Sequence, residues 1–145
     1  MKREKINIVA AASQQSKLIV EASSSEGLAT IRIIDRISEY SDNSANSIRA
    51  LIDGFVSRGV NKASIYSRGG SVFEAAEIIN ELRKIEVTEI IVGAIAASAA
   101  TRILVEYPEK VKAYATSQFM IHKPMMGTYG NENQIEADLK MLKNS

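Results

Sequence analysis

A serine hydroxyl is a poor nucleophile near neutral pH. It becomes useful when a base lies within hydrogen-bond reach and backbone N–H donors point at the oxyanion that its attack creates. This sequence holds the parts of such a site. Ser98 lies in the run Ala96-Ala97-Ser98-Ala99-Ala100, and His122, the single histidine, follows 24 residues later (122 − 98). The flanking alanines leave room for a carbonyl to approach, and the N–H of Ala99 follows the hydroxyl directly. Gly69-Gly70 tolerates backbone geometry that could bring a second N–H close. There is no cysteine, which removes thiolate catalysis, disulfides and cysteine-rich zinc sites. Any imidazole base must be His122. Each part also has a plainer reading: Ser98 as a helix cap, His122 as a structural hydrogen-bonding side chain, and Gly69-Gly70 as a simple turn. A phosphate cradle is not supported, since Ser67-Arg68-Gly69-Gly70-Ser71 lacks the Walker spacing and its lysine.

The elements that must position these residues follow from hydrophobic pattern. Short strands are predicted at Ile6–Ala10 and Leu18–Ala22, with a Ser-rich turn at Ser23–Ser25 that makes a hairpin plausible. Ala29–Ile37 alternates as a strand, and Asn43 or Ser44 is placed to cap the helix that follows. Ile48, Leu51, Ile52, Phe55 and Val56 recur at helical spacing, so that helix carries one apolar stripe and ends at Gly59. Ala63–Ser67 reads as a strand entering the glycine turn, and Val72–Ile85 as an amphipathic helix. Glu89–Ala96 is a nearly unbroken apolar run, as expected of a parallel strand covered on both faces. Ser98 then opens a small-residue helix reaching about Val105. Val111–Ala115 and Gln118–His122 read as strands, Pro124–Asn131 as a loop and Glu132–Lys143 as a helix. This alternation predicts an α/β fold with a mainly parallel sheet, whose sites collect where strands end and helices begin.

The bulk numbers exclude several classes. At 145 residues and 46% hydrophobic composition, the chain has the size of one domain with a single core. Its 18 Lys and Arg against 17 Asp and Glu leave no electrostatic footprint for nucleic acid. No segment approaches the roughly 20 apolar residues of a membrane helix. Near the start, Asn7 interrupts the apolar run and Glu4 sits among the basic residues, so a signal peptide is not read there. A cytoplasmic protein without metal or cofactor is the expectation.

Three segments resemble, in order, the motifs of the Clp proteolytic-subunit family of serine peptidases. Tyr66-Ser67-Arg68-Gly69-Gly70-Ser71-Val72 is similar to its Asn-Ser-Pro-Gly-Gly-Ser-Val turn. Gly93-Ala94-Ile95-Ala96-Ala97-Ser98 resembles the Gly-x-Ala-Ala-Ser nucleophile segment. Phe119-Met120-Ile121-His122-Lys123-Pro124 resembles the Met-Ile-His-x-Pro base segment. The resemblance covers residues 28–143, leaving 1–27 as a divergent N-terminal segment of one Clp-like domain. It implies a Clp and crotonase-type spiral of β-β-α units closed into rings of identical subunits. It makes Ser98 the nucleophile, His122 the general base and acid, and Gly70 and Ala99 the oxyanion donors. Polypeptides are the implied substrates. The Ala96–Ala100 phrase and the short entry through Ala29–Ile37 look nearest to the head-maturation proteases of phages and prophages, which process capsid and scaffold proteins. A housekeeping Clp subunit served by an ATP-driven AAA+ unfoldase is the neighbouring alternative.

The chain departs from the family pattern in three respects. The family's triad aspartate falls past Ser145, so the chain is expected to lack its C-terminal part and to be feeble as a peptidase. Loss of that acid in a different protease costs about 10⁴-fold in turnover. Asp138, the one aspartate beyond His122, lies in the predicted terminal helix and does not match the family position. Arg68 replaces the proline usual before the two glycines. Lys123 raises a serine-lysine arrangement, but strand alternation turns it away from Ser98 if His122 faces it. Two further readings share the fold: a crotonase-like acyl-CoA enzyme and a non-catalytic assembly subunit.

Overall fold

The computed structural model describes residues 6–8, 20–23, 28–55 and 61–144. The strands are β1 (Ile6–Ile8), β2 (Val20–Ser23), β3 (Leu28–Ile37), β4 (Asn61–Gly70), β5 (Val87–Ala97), β6 (Val111–Ala113) and β7 (Gln118–Met120). Among the described residues the helices are α1 (Ala45–Phe55), α2 (Val72–Leu82), α3 (Ala99–Glu106) and α4 (Glu132–Lys143), with a 3₁₀ turn at Pro108–Lys110. They build one seven-stranded sheet in the order β1-β2-β3-β4-β5-β6. The first two pairings are antiparallel, and those from β3 through β6 are parallel. β5 carries two short partners in succession, β6 beside Ile90–Val92 and β7 beside Ile95–Ala97. Ser117 joins them: its hydroxyl donates to the carbonyls of Val92 and Gly93 at 3.0 and 2.7 Å and accepts the Tyr114 N–H at 3.0 Å. The strand edge is thereby satisfied where the ladder changes partner.

Alternation along the strands sets which face is buried. Ile31, Ile33 and Ile37 on β3, Ala63 and Ile65 on β4, and Ile90 and Val92 on β5 form one core with Ile48, Ile78, Leu82 and Ile103 of the helices. Removing each of the isoleucine, valine and leucine side chains from water contributes about 1.5–3 kcal/mol. The other sheet face is less covered: Ile34, Ile91 and Ile95 are partly exposed and Tyr66 is exposed. The expectation of a β5 buried on both faces is not met among the described residues. On that face Gly93 gives β5 no side chain between Ile91 and Ile95, and both isoleucines stay partly exposed.

Helix ends are tied by side chains. The Ser44 hydroxyl accepts from the Ser47 N–H at 3.2 Å, which makes Ser44 the cap of α1. Asn43 binds β3 instead. Ser71 caps α2 by accepting the Glu74 N–H at 3.2 Å, and Glu74 sends its carboxylate across to the Ala45 N–H at 2.7 Å, at the start of α1. A negative charge there also favours the helix dipole. Glu81, 1% exposed, takes Arg49 of α1 at 2.8 Å and Lys84 at 2.6 Å. The ion pair to Arg49 locks the two helices in register. The predicted end of α1, residues 56–60, lies outside the described residues, as do residues 9–19.

Candidate active site

β5 delivers its last residue, the buried Ala97, into a turn made by Ser98 alone, and α3 starts at Ala99. Ser98 has φ 53° and ψ −127°, a conformation that side chains disfavour. Such a residue costs on the order of 1–3 kcal/mol and persists only where its surroundings over-determine it. The surroundings do so from both sides. The Ser98 N–H donates to the Met120 carbonyl at 2.8 Å, continuing the pairing of β5 with β7 by one residue. Its carbonyl accepts from the Thr101 N–H at 3.0 Å and the Thr101 hydroxyl at 2.6 Å. The Ser98 hydroxyl makes no cap hydrogen bond. The plainer reading of Ser98 as a helix cap therefore fails: the residue occupies the cap position with its Oγ uncommitted.

The glycine pair lies against this turn. Gly69 and Gly70 belong to β4 and pair with Arg36 and Ile37 of β3, so they end a strand where a turn was predicted. Gly69 has φ 88°, and a Cβ there would stand 2.5 Å from the Ala97 carbonyl oxygen and 2.8 Å from the Ala99 nitrogen. At Gly70, with φ 150°, a Cβ would meet the Ile37 carbonyl oxygen at 2.0 Å. Only glycine permits this approach of β4 to the head of α3. Ser67, 1% exposed, braces the approach: its Oγ accepts the Gly69 N–H at 3.0 Å and donates to the Asp35 carbonyl. Asp35 itself has φ 72°, and the β3–β4 register shifts between Ile34 and Arg36. The Asn43 amide holds the irregular backbone, accepting from the Ile34 N–H at 3.2 Å and donating to the Arg36 carbonyl at 3.3 Å. The β4–β5 register shifts at the same level, between Ile65 and Ser67. Both irregularities thus fall just before the parallel strands end.

His122 lies two residues past β7 and is exposed. Strand alternation therefore does not govern His122 and Lys123, which corrects the argument used to turn Lys123 away. The His122 Nδ1 stands 2.7 Å from the Lys123 carbonyl oxygen. A carbonyl only accepts, so this contact requires a proton on Nδ1, and in the neutral ring Nε2 is then the acceptor. Ser98, His122, Gly69, Gly70 and Arg68 line one cavity of about 1170 Å³ at the C-terminal ends of β4 and β5. Ala99 is buried and is not among the residues that line it. Ser98 and His122 share the cavity without a hydrogen bond between them. Asp138 is engaged elsewhere, accepting from Thr128 Oγ1 and from Gln134 Nε2, the latter at 3.2 Å.

Ser67, Asp35 and Thr101 were not found from sequence. Asp35 alone left a trace there, as an αL-tolerant polar residue interrupting an apolar strand. The bracing roles of the other two depend on contacts across the fold.

An α/β domain with a strained serine at a strand-to-helix turn and a cavity over the strand ends defines a class shared by many hydrolases. A family model described as Clp protease matches residues 14–145, and the chain belongs to that family of peptidases. Its members form oligomeric rings and act on polypeptides. Among individually curated proteins, no match to the chain was found.

Proposed function

We propose that this protein is a serine endopeptidase in which Ser98 is the nucleophile and His122 its base. The observation that carries this reading is the uncommitted Ser98 hydroxyl, held at φ 53° in the cavity that His122 also lines. Ser98 Oγ attacks the peptide carbonyl and its proton passes to His122 Nε2. The tetrahedral oxyanion is met by the N–H groups of Ala99 and Gly70. His122 then protonates the leaving amine, and a water activated by the same imidazole hydrolyses the acyl-enzyme. Because Nδ1 donates to a backbone carbonyl rather than to a carboxylate, the imidazolium receives less stabilisation than in a triad, and turnover is slow.

Within the family, the head-maturation branch of phages and prophages is the reading we favour, supported by the alanine-rich nucleophile segment. Its substrates are capsid and scaffold polypeptides, its assembly is a homo-oligomeric ring and its compartment is the cytoplasm. A fluorophosphonate probe tests the chemistry. Labelling of Ser98 in the native chain, absent from Ser98→Ala, is expected, whereas a folded protein that never labels would point to a non-catalytic assembly subunit. Cleavage of a scaffold polypeptide without ATP separates head maturation from a housekeeping role, which requires an unfoldase.

A further inference from the structure

The charges around the cavity are of mainly one sign. Arg36 on β3, Arg68 on β4 and Arg102 on α3 all line it with Ser98, and Asp35 is the one carboxylate among the lining residues. The whole chain is nearly neutral, with 18 basic against 17 acidic residues, so the local excess is not a consequence of composition. The three arginines are exposed, and none is ion-paired among the described residues. Elsewhere the fold treats arginine differently: Arg49 is paired with Glu77 and Glu81, and Arg83 with Glu106. Arg102 lies on α3, which Ser98 immediately precedes, and both line the cavity, while Arg68 adjoins the glycine that packs against Ser98. A guanidinium offers a carboxylate two parallel donors, and it keeps its charge at any pH at which the protein is folded.

We propose that Arg36, Arg68 and Arg102 make this cavity selective for polypeptide segments that present a carboxylate beside the scissile bond. This substrate class rests on the peptidase reading of Ser98. The carboxylate comes from an Asp or Glu side chain or from a chain terminus, and both meet the same guanidinium chemistry.

The test uses the Ser98→Ala chain, which binds without cutting, and dye-labelled peptides of one length read by fluorescence anisotropy. One peptide carries an internal Glu and an amidated end, a second has Gln in its place, and a third has Gln with a free C-terminal carboxylate. The Glu peptide is expected to bind about tenfold tighter than its Gln counterpart, with the advantage shrinking as salt is raised. Tighter binding of the third peptide assigns the site to chain ends instead of side chains. In Arg68→Gln and Arg102→Gln, with far-UV circular dichroism unchanged, the preference falls. Equal affinity for all three peptides overturns the proposal, as does a carboxylate preference that survives both arginine variants. Affinity for inorganic phosphate with none for any peptide overturns it too. Probe labelling of the native chain reports on Ser98 separately: labelled Ser98 with no carboxylate preference sinks only the arginine assignment. Carboxylate preference without labelling sinks the nucleophile and leaves the binding surface standing.

Discussion

At the scale of single residues, the backbone of Ser98 is held in a conformation that its side chain resists, and glycine there has no such cost. Ser98→Gly is therefore expected to raise stability by about 1 kcal/mol while abolishing probe labelling. Urea denaturation measures the first effect, and an unchanged midpoint would mean that the turn is unstrained. Gly69→Ala acts in the opposite direction. Its Cβ would fall 2.5 Å from the Ala97 carbonyl oxygen, so β4 must move away from the head of α3. A loss of about 2–4 kcal/mol is expected, together with loss of labelling as the donors separate; a stable, labelled Gly69→Ala chain contradicts that packing. Both residues were legible as types, because a small-residue turn and a glycine pair are local features. Their contact was not, since it joins segments far apart in the chain.

At the scale of elements, α1 and α2 are coupled by a carboxylate buried between them. The Lys84 hydrogen bond, followed by Arg49, holds the Glu81 carboxyl below its ordinary 4.5 despite burial, which acts the other way. A group with a depressed native pKa contributes stability above its unfolded value and loses it as pH falls through the native value. Glu81→Gln is expected to cost about 2 kcal/mol at neutral pH. The native and variant stabilities should then converge as pH drops below the ordinary carboxylate range, because a protonated Glu81 resembles glutamine. Thermal melts across that range check the sign; a gap that widens in acid refutes it. The stripe of α1 was readable from helical spacing, and the long apolar run of β5 from its composition. Where each strand stops was harder to read. The glycines looked like a turn because nothing local reveals that Arg36 and Ile37 are available to pair with them.

At the scale of the molecule, the segment from β7 through α4 keeps large apolar groups in contact with solvent. Phe119, Ile121, Met125, Tyr129, Ile135 and Leu139 are exposed, and α4 buries none of its residues. Grouped apolar exposure marks interaction surfaces, and members of this family assemble into rings. Replacing Ile135 and Leu139 by Lys is expected to leave the far-UV spectrum intact and to shift sedimentation from oligomer to monomer. An unaltered oligomer would show that α4 is not part of the contact.

The linear order of residues determined the chemistry on offer: one imidazole, no thiol, an alanine-flanked hydroxyl and a glycine pair, on alternating strands and helices. Those are matters of composition and of short-range periodicity, which the chain carries at every point. Tertiary structure decided which of them meet. It set the serine backbone in a strained turn clamped by Met120 and Thr101, and it laid Gly69 against Ala99. It also brought three arginines from three elements to one cavity. Contacts of that kind depend on strand register and on buried hydrogen bonds between distant segments, and no local pattern encodes them.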